Sequence, residues 1–113
     1  MIVMKFGGSS VANAERIRAV IEIVRSRLDR KPVVISSAFR GVTDDLFKLA
    51  EESRKGNDSL LEKIKNRHFE CGKELGLDAA ILKDNLAELA VLLKGVSLVK
   101  ELTPRTLDYV VSF

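Results

Sequence analysis

Tryptophan is absent from this chain, and tyrosine, cysteine and histidine occur once each. The lone Cys71 excludes an internal disulfide and fits a reducing compartment, the cytoplasm. Its expected role is that of a small apolar packing residue. With one tyrosine and no tryptophan, there are few rings on which the bases of a single strand could stack. No apolar run approaches the roughly 20 residues that cross a bilayer. The N-terminus also lacks a charged leader followed by a long apolar segment, so no secretory signal is visible.

The net charge of +3 does not indicate nucleic acid. Residues 13–31 hold six basic residues against three acidic ones, and the rest of the chain balances. The excess therefore belongs to one helix and its exit, and reads as a solvated face. At 113 residues and 46% hydrophobic, the chain supports a small domain with a modest core.

What is present begins at the N-terminus. Met1 to Met4 reads as an apolar strand, mostly buried on both faces. Lys5-Phe6-Gly7-Gly8-Ser9-Ser10-Val11 follows. Paired glycines let backbone N–H groups face an anion with no Cβ in the way. A following helix adds free N–H groups and the positive end of its dipole, and Lys5 can place a point charge among phosphate oxygens. The lysine precedes the glycines, so this is not the G-x-x-x-x-G-K-[ST] loop. On the residues alone, a phosphate site and a plain strand-to-helix turn both remain open.

Asn13 is a plausible N-cap for a helix whose stripe is Ile17, Val20, Ile21, Val24 and Leu28, ended by Lys31-Pro32. Val33-Val34-Ile35 is β-branched and reads as a second buried strand, parallel to the first in a βαβ unit. The pattern is then helical: about 43–55 with Leu46, Leu49 and Ala50 inward; about 59–75 with Leu61, Ile64, His68, Cys71 and Leu75; about 79–96 with Leu82, Leu86, Leu89, Leu93 and Val96. Thr103-Pro104 starts a last helix. This helix has no C-terminal cap signal, so the chain reads as a piece of a longer protein. Two strands leave an unpaired edge, and the piece alone is expected to fold poorly.

Ser37 and Thr43 fall at the carboxyl edge of the parallel strands, where open α/β sheets bind ligands. On the residues alone, local turn chemistry, with Thr43 as a cap, is the favoured account. His68 reads as a structural histidine, and His68 with Cys71 lacks the second pair of ligands a zinc site needs. No metal-binding residue is assigned.

Lys5-Phe6-Gly7-Gly8-Ser9-Ser10-Val11 also resembles the N-terminal signature of aspartokinases, in the amino-acid kinase superfamily. Val33 to Leu46 is similar to that family's second strand and the substrate-side loop after it. Glu101 to Phe113 is similar to a later helix. Ser9 stands where threonine is usual, and Phe39, Arg40 and Asp44 are less typical of that loop.

The resemblance implies an α/β fold, the opening part of a three-layer αβα sandwich, with residues 1–113 as the N-terminal part of a kinase domain. It implies transfer of the ATP γ-phosphoryl to the β-carboxylate of L-aspartate, with Mg²⁺ accompanying the nucleotide. Lys5 would be catalytic. Lys5, Gly7, Gly8, Ser9 and Ser10 would bind the ATP phosphates, and Ser37 and Thr43 the amino acid. Small-molecule substrates and a full-length homo-oligomer follow, with no nucleic acid or membrane partner. The alternatives are a kinase for another carboxylate or a carbamate, and a phosphate-binding module without turnover.

Overall fold

The computed structural model describes residues 1–113. In chain order it contains strand β1 (Ile2–Phe6), helix α1 (Ala14–Arg25), a single 3₁₀ turn at Leu28–Arg30, strand β2 (Pro32–Ser36), and helices α2 (Val42–Arg54), α3 (Ser59–Glu74), α4 (Ala80–Val99) and α5 (Pro104–Val111). The α/β order matches the expectation: one strand pair, then helices. The chain divides into two compact units, Met1–Val42 and Thr43–Phe113.

In the first unit β1 and β2 run parallel, with Met4 opposite Val34, Lys5 opposite Ile35 and Phe6 opposite Ser36. Asn13 caps α1, its side-chain oxygen accepting from the Arg16 N–H at 2.9 Å. The helix stops at Arg25, short of the predicted end at Lys31-Pro32. Ser26 explains the early stop. Its N–H donates to the Glu22 carbonyl and its hydroxyl donates to the Ile23 carbonyl at 2.7 Å, closing the last turn. The chain then passes through the 3₁₀ turn, and Lys31 takes a left-handed conformation at φ 50°. Leu28, placed on the helical stripe by its spacing, is instead 60% exposed.

The strands also differ from expectation. Val3 is 64% exposed, and Val33, Val34 and Ile35 are exposed as well. A two-stranded sheet in a unit of this length has too little chain around it to cover both faces.

The second unit follows its stripes closely. Leu46, Leu49 and Ala50 of α2, Leu61, Ile64 and Cys71 of α3, Leu86, Leu89, Leu93 and Val96 of α4, and Val110 of α5 are buried. The α4 set recurs at three- and four-residue intervals, so one face of the helix is continuously apolar. Gly56 and Gly76 close the turns after α2 and α3 with φ of +84° and +73°, a conformation costly for any residue with a Cβ. Thr103 caps α5 by accepting from the Thr106 N–H, with Pro104 in the first turn. His68 donates from Nδ1 to the Ile64 carbonyl at 2.7 Å, as a structural histidine should. No helix is long and apolar enough to cross a membrane.

Ser53 of α2 is 1% exposed, and its hydroxyl has no hydrogen-bond partner. A buried unsatisfied hydroxyl costs about 1–3 kcal/mol, and alanine is the better helix former. Ser53→Ala should therefore stabilise α2 by about 1 kcal/mol, read by native-state hydrogen exchange along the helix. Faster exchange would contradict the reading.

Tyr109 of α5 donates to the Glu88 carboxylate of α4 at 2.8 Å. That hydrogen bond, and then the carboxylate's charge, raise the phenol above its ordinary value of 10.0. A raised folded-state pKa means that this tie is fully present below about pH 10 and is lost as pH climbs through the raised value. A difference titration of the full-length protein against its Tyr109→Phe variant isolates this phenol. Glu88→Gln should shift its midpoint downward, and an unmoved midpoint would remove Glu88 as the cause.

Candidate phosphate-binding edge

Because β1 and β2 are parallel, both strands end at the same edge of the pair. Two loops leave from that edge. Strand alternation sets Val3, Lys5 and Gly7 toward the exposed side, while Met4, Phe6 and Gly8 are half-buried. Lys5 is thus delivered one residue before the end of β1, exposed and beside the turn that follows. No carboxylate lies within ion-pair distance of its ammonium.

The first loop turns at once. The Ser10 N–H donates to the Gly7 carbonyl at 3.0 Å. Neither Gly7 nor Gly8 has a positive φ, so their use is not to permit a left-handed backbone. It lies in what a Cβ would meet. At Gly7 a Cβ would meet nothing within 4 Å, so that side of the backbone is open. At Gly8 it would stand 3.3 Å from the Ala38 carbonyl oxygen, 3.3 Å from the Arg40 Cα and 3.4 Å from the Arg40 nitrogen. The helix expected to add its dipole begins at Ala14, where the Asn13 cap puts its start, and turn residues separate it from Ser10.

The second loop leaves β2. The Ser37 N–H donates to the Phe6 carbonyl at 2.9 Å, which carries the ladder one rung past the strand. The Val42 N–H donates to the Phe39 carbonyl at 3.1 Å, and Gly41 takes φ +84° to complete the turn into α2. The structure thus brings Lys5, Gly7, Gly8, Ser9, Ser10 and Ser37 to one edge of the first unit. The hydroxyls of Ser9, Ser10 and Ser37 form no internal hydrogen bond. Thr43 opens the second unit. It sits inside the first turn of α2 rather than at its cap, exposed, with no side-chain hydrogen bond.

The arrangement presents a cation, hydroxyl groups and accessible backbone amides at the mouth of a parallel strand pair. That set suits an anionic ligand. It contains no carboxylate, so the residues of this edge do not supply the oxygen ligands that Mg²⁺ prefers. No cluster of three or more His, Cys, Asp or Glu side chains suited to a metal occurs in the chain. The contact of residues 38–40 on Gly8 escaped the sequence reading. Its only trace there is a second glycine in a turn that one glycine would satisfy.

Residues 1–109 match the Amino acid kinase family. This chain belongs to that family. Within it, the chain is 41% identical, over 98% of its own length, to aspartokinase 2, chloroplastic, of Arabidopsis thaliana, covering 22% of that protein. It is 40% identical over 71% of its length to the aspartokinase of Chlamydia trachomatis, covering 18%. Among solved structures it is similar to E. coli aspartokinase III in complex with aspartate and ADP. The TM-score there is 0.78 at 30% identity, over 99% of this chain and 25% of that one. The chain spans about a fifth of the length of the curated relatives it matches. Its strand pair followed by helices matches the corresponding quarter of that structure.

Proposed function

We propose that this chain is the N-terminal part of the catalytic domain of an aspartokinase, which moves the ATP γ-phosphoryl to the β-carboxylate of L-aspartate. The products are 4-phospho-L-aspartate and ADP, at the entry to lysine, threonine and methionine synthesis. The observation that carries the reading is Lys5, an exposed ammonium with no ion-pair partner beside an open Gly7 backbone, at the shared end of two parallel strands. The relatives named above support the reading, one of them solved with aspartate and ADP, the proposed acceptor and the proposed nucleotide product.

A carboxylate is already a nucleophile, so the reaction needs no general base. The barrier lies in bringing two anions together and in the charge on the phosphoryl oxygens, which positioning and preorganised electrostatics address. Lys5 meets the phosphate charge. The amides around Gly7 and Gly8 and the hydroxyls of Ser9 and Ser10 line the phosphates, and Ser37 and Thr43 hold the amino acid. Mg²⁺ finds no carboxylate among the residues of this edge, and no step is assigned to it. The reaction belongs in the cytoplasm, where a protein with a single cysteine in this segment meets a reducing medium.

A coupled assay of the full-length protein with ATP and a panel of acids tests the reading. L-aspartate should be the preferred acceptor. Turnover with another carboxylate or a carbamate, or nucleotide binding without turnover, would replace it. Lys5→Ala should lower kcat by about 10²–10³, the scale of losing one preorganised stabilising group. Near-normal turnover in that variant would remove Lys5 from the chemistry.

A further inference from the structure

We propose that Gly8 is a positioning residue that locks the loop after β2 to the loop after β1, so that the grip on the nucleotide also sets the acid-side loop. This rests on the aspartokinase reading for the identity of the two substrates. The geometry itself does not depend on that reading.

The two glycines do different things. Gly7 faces open space, and a methyl group there would intrude only on whatever approaches from outside. Gly8 faces the backbone of residues 38–40 at 3.3–3.4 Å from its Cβ position. All three nearest atoms are main-chain atoms, so no side chain can swing aside to make room. A Cβ at this position must displace the 38–40 segment by a few tenths of an ångström or push the first loop away from it. Neither loop can absorb this freely. The first is closed by Ser10 N–H to Gly7 C=O at 3.0 Å, and the second is held at its base by Ser37 N–H to Phe6 C=O at 2.9 Å and farther on by Val42 N–H to Phe39 C=O at 3.1 Å. Ser37 immediately precedes the displaced segment. A shift there reaches the hydroxyl proposed to hold the amino acid, not only the groups proposed to hold phosphate.

The experiment uses the full-length protein with Gly7→Ala and Gly8→Ala. Gly8→Ala should speed amide exchange across residues 37–42 and raise the KM for aspartate roughly tenfold, because a misplacement of about 1 Å can cost as much as 10²-fold. Gly7→Ala should raise the KM for ATP and leave exchange across 37–42 at the wild-type rate. The proposal fails if Gly8→Ala leaves that exchange or the aspartate KM unchanged, or if Gly7→Ala moves both equally.

Should Gly8→Ala fail to fold, the wild type decides. A non-hydrolysable ATP analogue alone, without acid, should slow exchange across 37–42 together with 7–10, whereas protection confined to 7–10 overturns the interlock. Loss of the aspartokinase reading would show separately, as a wild-type protein that does not phosphorylate aspartate while the exchange pattern across 37–42 still responds to Gly8→Ala.

Discussion

The parallel pairing of β1 with β2 is the constraint on which the site depends. Antiparallel strands would send their ends to opposite edges, whereas parallel ones deliver both exits to one place. The register, Lys5 opposite Ile35 and Phe6 opposite Ser36, then decides which side chains arrive there. A slip of one residue would turn every side chain of a strand to the other face, taking Lys5 from the exposed side. The rung from the Ser37 N–H to the Phe6 carbonyl holds this register at the point where the chains diverge.

Several polar side chains elsewhere in the molecule are occupied. Asn13 and Thr103 accept from the first turns of their helices, and Arg25, Arg54 and Lys65 each pair with a carboxylate three residues away. Lys5, Ser9, Ser10, Ser37 and Thr43 do none of this. An exposed ammonium or hydroxyl loses little by facing water, since surface pairing contributes less than about 1 kcal/mol. Leaving these groups unpaired therefore costs little stability. Thr43 is the clearest instance. Two residues of shift would have made it a cap, and its place within α2 leaves its hydroxyl without an internal partner.

The helices of the second unit were legible because their signal is local. Leucines at three- and four-residue spacing along α4 can bury only one face, and they do. The end of α1 was not legible. Val24 and Leu28 continue the stripe, but a serine hydroxyl turning back onto a carbonyl closes a helix regardless of the apolar residues beyond it. The β-branched strands were recognisable as strands, while their exposure depends on how much chain surrounds them and leaves no mark on Val33-Val34-Ile35. The two glycines show the limit most sharply. They are adjacent and identical in sequence, and both have ordinary negative φ. What separates them is the approach of a backbone thirty residues away, which no local pattern encodes.

That separation bears on what such a site can achieve. Joining two anions without a general base leaves catalysis to placement and to fixed dipoles. A lysine on a strand end supplies charge, but a long flexible stem holds it loosely. Backbone amides in a turn are placed by the chain itself, and a turn packed main chain against main chain has the least freedom to drift. The close approach at this edge depends on an atom that is missing, the Cβ of residue 8. With no Cβ there, only main-chain atoms of Ala38 and Arg40 face Gly8, and the two exits of the strand pair are neighbours at that point.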